Sequence, residues 1–278
     1  MLRILRTVLA AIVAAGVLAG TAAAPALAQS QAGASIRESA LKIYRADEIG
    51  GLTNAGTYVL PAASDTADAG KARGMLALAA TLGDKDAGRQ LGRMMEAGIG
   101  GPQDYAGARH AYRRSGERTA LWYLGRLILA GKGGPADPVG ARAVFKEASS
   151  LGSIDARFQY ARMYELGIGG PRDPDAARRL YESTREYCHG DIANHLAMML
   201  MRGIGGPADK VEAADRHLRA VECHNQYFDT PVIQLHPSWI DGQTVKEAQK
   251  LLRRRGIYDG PVNGELNPAT RAAIAGLE

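Results

Sequence analysis

The motif Gly-x-Gly-Gly-Pro-x-Asp occurs four times in this chain, opening at Gly98, Gly131, Gly167 and Gly203. The intervals are 33, 36 and 36 residues. A fixed period of this size predicts a stack of supersecondary units and excludes one closed core. Backbone chemistry explains the motif. The first glycine follows a helical stretch, where a left-handed residue suits the helix end. Pro102, Pro135, Pro171 and Pro207 forbid the helix from running on. Asp104, Asp137, Asp173 and Asp209 offer side-chain acceptors to the free amides of a following helix. Pro138 and Pro174 stand at the first helical position, where no amide hydrogen is needed. Asp209 with Glu212 has capping-box spacing. Each motif therefore reads as helix stop, turn and helix start.

The flanks repeat as well. Six residues before each motif stands a small residue: Gly92, Gly125, Ala161 or Ala197. Apolar residues precede it by one (Leu91, Leu124, Tyr160, Leu196) and follow it by three (Met95, Ile128, Tyr164, Leu200). This is a buried stripe with one position of close helix approach. On this reading Ala161 faces inward and Arg162 outward. Four residues after each Asp come Ala108, Ala141, Ala177 and Ala213. Eight residues after it come Tyr112, Phe145, Tyr181 and His217, on the same face. Alternating small and large residues let helices nest. Gly116, Gly152 and Gly190 are expected to end the second helices.

This pattern resembles the Sel1-like repeat over roughly residues 69–225. Tetratricopeptide repeats share the helix–turn–helix plan but lack the glycine-rich loop. The last copy departs most, with His217 at the aromatic position, Ile192 for the opening alanine and no glycine after Cys223. The resemblance implies an all-α fold: an α-solenoid of helix–turn–helix repeats with a concave, non-catalytic face for a protein partner.

Residues 1–28 read as a leader. Arg3 and Arg6 precede the apolar run Val8 to Leu18, and Ala26-Leu27-Ala28 is a small-x-small cleavage site before Gln29. The run is broken by Gly16, Gly20 and Pro25 and is short for a membrane anchor. The expected product is a soluble periplasmic chain with no membrane span. Removing the leader lowers the formal charge from +5 to +3, which is no nucleic-acid signature. Residues 29–68 read as an N-terminal segment or linker, with a helix over Ser35 to Arg45 and a loop over Asn54 to Asp68. The segment suits a degraded first repeat that caps the stack. The repeat domain is set at 69–228, and a connector with a C-terminal domain at 229–278.

The C-terminal stretch differs in kind. Thr244 to Arg255 reads as a helix stopped by Gly256, with Val245, Ala248, Leu251 and Leu252 inward. Asp259-Gly260-Pro261 and Asn263-Gly264 read as turns, and Asn267 caps a final helix with Pro268 at its first position. Gln249, Leu252, Gly256, Gly260, Thr270 and Ala273 complete a string that resembles the small three-helix peptidoglycan-binding domain. The chain departs from that pattern at Glu265-Leu266 and after Ile274. The resemblance makes peptidoglycan a candidate partner. Tyr258, Asn263, Asn267 and Arg271 are the candidate contacts, beside the plainer reading that Asn267 only caps its helix.

Cys188 and Cys223 are both followed by histidine, His189 and His224, at near-equivalent places in successive repeats. Three readings are open: a disulfide, suited to an oxidising compartment; two separate thiols; and a Cys₂His₂ metal site. Parallel helix ends lie near the distance limit for a disulfide.

No catalytic constellation is present in the sequence. His110, His189, His195, His217, His224 and His236 are scattered, and there is no His-Glu-x-x-His, Gly-x-Ser-x-Gly or P-loop. The chain is read as a non-enzyme without cofactor or metal. Three functions fit: an exported scaffold on peptidoglycan that binds a protein partner, a periplasmic regulator of a membrane sensor or envelope polysaccharide pathway, and an accessory factor or cryptic hydrolase in peptidoglycan remodelling.

Overall fold

The computed structural model describes residues 31–40, 66–224 and 241–277, and every regular element among them is a helix. Residues 31–40 form α1. There follow α2 (Thr66–Thr81), α3 (Lys85–Ala97), α4 (Tyr105–Ser115), α5 (Arg118–Leu129), α6 (Pro138–Ser150), α7 (Ile154–Leu166), α8 (Pro174–Glu182), α9 (Gly190–Arg202), α10 (Lys210–His224), α11 (Gly242–Arg254) and α12 (Pro268–Ala275). They fall into two compact units that divide between Ser153 and Ile154. The leader with its Ala28–Gln29 site, most of the loop read at 54–68, and the connector at 225–240 lie outside the described residues.

The turn chemistry is local. Asp104, Asp137 and Asp173 accept from the backbone N–H of Gly107, Gly140 and Ala176 at 2.8–2.9 Å. Asp209 accepts from Glu212 N–H at 2.9 Å. Each contact satisfies an amide that the helix itself leaves free. The second glycine of the motif has a further reason. Gly133 has φ 78°, and a Cβ there would lie 2.4 Å from the Tyr105 carbonyl carbon. Gly205 stands the same way against Pro174 O, also at 2.4 Å. The loop thus lies flat on the start of the preceding second helix, where no side chain fits.

An arginine from that preceding helix holds the loop down. Arg109 Nη2 donates to Gly134 O and Pro135 O of the loop at 3.5 Å and to Leu127 O in the last turn of α5 at 2.9 Å, and Arg178 Nη1 donates to Pro207 O at 2.9 Å. Arg73 Nη1 donates to Pro102 O at 3.1 Å. α2 therefore takes the place of a second helix. Ile36 and Ala40 of α1 are buried with its Ala72 and Leu76. α2 begins at Thr66, inside the stretch read as loop.

Within a repeat the small residue meets the aromatic. A Cβ on Gly92 would lie 2.4 Å from the Tyr112 ring, and one on Gly125 2.6 Å from the Phe145 ring. Ala161 shares a buried cluster with Tyr181. Burying such a side chain is worth roughly 1.5–3 kcal/mol.

Two expectations need correction. Gly190 does not end a second helix: α8 stops at Glu182, and Gly190 opens α9 behind its cap His189. Arg162 is not a freely exposed residue. It is half-buried, with its guanidinium 5.7 Å from the Phe158 ring centroid.

The C-terminal helices are not an independent body. Leu252, Tyr258, Ala273 and Ile274 share one core with Ala214, Leu218 and Val221 of α10. Lys210 pairs with Asp241 at the starts of α10 and α11, and Arg255 pairs with Glu222 at their ends. The two helices therefore run parallel. The three-helix grouping consists of α11 and α12 on the last repeat helix, so the core crosses the expected boundary at 228.

Candidate functional site

The four expected peptidoglycan contacts do not converge on a ligand surface. Gln249 is fully buried; its Nε2 donates to Glu265 O at 2.9 Å and Thr270 Oγ1 at 3.0 Å. Its Oε1 accepts from Gly264 N–H at 2.9 Å. Around this amide the 256–267 loop is folded. Tyr258 is 3% exposed and donates its hydroxyl to Pro261 O at 2.8 Å, so it is a core residue. Asn263 Oδ1 accepts from Glu265 N–H at 3.0 Å and closes the turn. Asn267 caps α12 through Thr270 N–H at 2.9 Å. Arg271 donates to Leu266 O at 3.0 Å. Each polar group is engaged locally.

Cys188 and Cys223 are joined by a disulfide, with Cα atoms 5.1 Å apart. The distance objection fails because Cys188 is not on a helix end. It lies in the turn after α8, which brings it beside the last turn of α10. The neighbouring His189 instead caps α9, where its Nδ1 accepts from Ile192 N–H at 3.4 Å. No group of three or more His, Cys, Asp or Glu among the described residues could hold a metal ion.

A different set of side chains gathers on the first helices of the repeats. In the first unit the buried Tyr112 hydroxyl donates to Glu96 Oε2 at 2.9 Å. The Tyr112 ring stacks on Tyr123 of the next first helix, with centroids 5.3 Å apart. Trp122 packs edge-on to Tyr123 at 4.9 Å, and the Arg126 guanidinium lies 4.9 Å over the Trp122 ring.

The second unit repeats the plan. The Tyr181 hydroxyl donates to Glu165 Oε2 at 3.0 Å. Tyr181 lies 5.6 Å from the His195 ring of the next first helix. Phe158 packs edge-on to His195 at 5.3 Å, under Arg162. His195 Nδ1 is 3.2 Å from Glu165 Oε2. A carboxylate only accepts, so Nδ1 carries the proton. This hydrogen bond holds the Glu165 carboxyl below its usual range, against a burial that pushes it up. Burial, then the Glu165 charge, pushes the Tyr181 hydroxyl far up, and burial pushes Tyr123 up. Near neutrality Glu165 is thus a carboxylate and Tyr123 and Tyr181 are neutral phenols. The arrangement suits recognition.

Acid and phenol occur together. Glu96 accompanies Tyr112 and Glu165 accompanies Tyr181, whereas Leu129 accompanies Phe145 and Met201 accompanies His217. A buried hydroxyl needs an acceptor, and a ring without one does not. Sequence reading missed this pairing and the loop-gripping arginines. The signal for the latter was present: Arg73, Arg109, Arg142 and Arg178 recur at 36, 33 and 36 residues.

A Sel1 repeat family model matches residues 86–119, 118–153, 154–184 and 193–215. No curated protein matches the sequence. Among solved structures, a Sel1 repeat protein from Oxalobacter formigenes is similar with a TM-score of 0.58 at 17% identity, covering 86% of this chain and 83% of that one. The protective antigen c5321 of uropathogenic Escherichia coli, which displays an SLR fold, gives a TM-score of 0.55 at 21% identity over 84% of this chain. This chain spans 47% of that antigen's length. At these identities the likeness is one of fold, and it agrees with the repeat matches. Four segments of the chain thus match the Sel1 repeat, and the described residues form a helical solenoid fold.

Proposed function

We propose that this chain is an exported, non-catalytic scaffold that binds a protein partner along the first helices of its repeats. One observation carries the reading. Relative to the buried small residue, α5 and α7 both place an aromatic ring three residues before it and a half-exposed arginine one residue after it: Trp122 with Arg126, and Phe158 with Arg162. Photoreactive residues at positions 126 and 162 are expected to capture a protein in cells. One at Glu147, on a second helix, is expected to capture none. Equal capture from all three positions overturns the assignment of the face. Export is supported by the leader pattern, and the mature chain is expected to begin at Gln29; an intact Met1 on envelope-derived protein overturns it.

Association with peptidoglycan is a second part of the proposal, favoured by the C-terminal resemblance. With Tyr258 in the core, its contacts rest on the loop edge around Asn263 and Arg271. Sedimentation with purified sacculi tests it, and an unbound protein removes it without touching the scaffold reading.

A further inference from the structure

Arginine follows the small residue in three of the four repeats: Arg93, Arg126 and Arg162. Two of these are built alike. Arg126 lies over Trp122 and Arg162 over Phe158, each ring four residues earlier on the same helix, at 4.9 and 5.7 Å. An arginine stacked on a ring keeps its face covered and offers the edge of its planar fork.

Seven other arginines are held in ion pairs. Arg37 and Arg89 pair with Asp86, Arg113 with Glu147, Arg178 with Glu182, Arg185 and Arg216 with Glu212, and Arg255 with Glu222. Arg126 and Arg162 have no ion-pair partner among the described residues. The nearby carboxylates are occupied. Glu96 accepts from Tyr112, and Glu165 accepts from Tyr181 and lies against His195. Trp122 Nε1, on the ring under Arg126, and the Nε of Arg162 itself are buried donors with no acceptor among the described residues.

Resting on the scaffold reading above, we propose that each unit carries a carboxylate receptor for an acidic peptide segment of the partner, Arg126 on Trp122 in the first and Arg162 on Phe158 in the second. Charge complementarity selects the ligand. Bidentate capture by a guanidinium fits a carboxylate. The Glu165 carboxylate, on the same helix as Arg162, opposes a dense polyanion. The rings alongside suit apolar side chains that flank an isolated Glu or Asp.

The probe is a short fluorescein-labelled peptide alternating Glu and Leu, with its Gln–Leu counterpart, read by anisotropy against the purified full chain. The Glu peptide is expected to bind and the Gln peptide not. Arg126→Ala or Arg162→Ala alone should halve the number of binding sites, and the two together should weaken binding about tenfold, the size expected for a lost charge-assisted contact. Arg113→Ala, whose arginine is already paired with Glu147 on a second helix, should change nothing. Thermal melts of each variant show whether it is folded, and Arg126→Lys with Arg162→Lys tests the planar fork in a chain that keeps its charge. Lysine variants that bind better than the alanine variants but below wild type support the receptor. Equal binding of Glu and Gln peptides overturns it, as does wild-type binding by folded alanine variants. Loss of sacculus binding in these variants with no peptide binding also overturns it, in favour of cell-wall carboxylates. Protein capture from positions 126 and 162 together with indifference to the Glu peptide leaves the scaffold standing and removes the receptor. Peptide binding without any captured protein does the reverse.

Discussion

Tyr112 lies flat on Gly92, so closely that a Cβ at position 92 would sit 2.4 Å from the ring. The ring cannot easily retreat, because it is fully buried and its hydroxyl is held by Glu96. Gly92→Ala should therefore destabilise the first repeat by about 1–3 kcal/mol through overpacking, despite the better helix propensity of alanine. Gly74 of α2 is the control, since a Cβ there meets nothing within 4 Å. Gly74→Ala should stabilise by about 0.5–1 kcal/mol. Urea melts of the two variants should move in opposite directions.

The Tyr112–Glu96 pair should behave as a unit. Tyr112→Phe strands a buried carboxylate, and Glu96→Leu strands a buried hydroxyl, each costing about 1–3 kcal/mol. The double variant recreates the Phe145 and Leu129 combination of the second repeat. Its cost should fall below the sum of the single costs, which a double-mutant cycle measures. Strict additivity would mean that the hydrogen bond contributes nothing.

His217 takes the aromatic place in the last repeat, 3% exposed and with neither ring nitrogen hydrogen-bonded among the described residues. Burial lowers its pKa from 6.5 to about 4. The folded state thus disfavours the proton that the unfolded chain accepts. Stability is full above pH 6.5 and falls with pH until about 4, by about 3 kcal/mol. His217→Phe should remove that segment of the pH–stability curve. An unchanged curve between pH 6.5 and 4 would show that the imidazole is not buried neutral.

The disulfide Cys188–Cys223 closes a loop with a sequence separation of 35. Restricting the unfolded chain over that length is worth roughly 2–4 kcal/mol. Cys188→Ser with Cys223→Ser should lower the melting temperature of the non-reduced protein to that of wild type in reductant. A reductant-insensitive wild type would show that the bond does not constrain the chain.

Truncation before Asp241 should damage the last repeat. Ala214, Leu218 and Val221 would lose their cover from Leu252, Tyr258 and Ile274. Dye binding to the exposed apolar face and a lower melting temperature are expected. A truncated chain that melts like wild type would show the C-terminal helices to be separate.

The helix stops and starts were legible in the sequence because each is settled within a few residues. Asp104 reaches only to Gly107, and Asn267 only to Thr270. The repeat period was legible because the same local solution recurs. The interaction face was less so. Helical spacing gives the angle of Arg162 around its own axis but not what lies against it, which is the Phe158 ring packed on His195 of α9. The Tyr181–Glu165–His195 group joins three helices, so no single stretch announces it.

By itself, then, the sequence determined the repeated helix–loop–helix unit, its caps and the small-against-large register, since these follow from backbone geometry and side-chain volume at short range. Tertiary structure decided three things. It put Tyr258 into a core rather than on a surface, it brought Cys188 to Cys223 through a turn rather than a helix end, and it merged the C-terminal helices with α10. Each depends on where distant segments come to rest. That is set by total apolar burial and by closing the chain over long separations, which local periodicity does not encode.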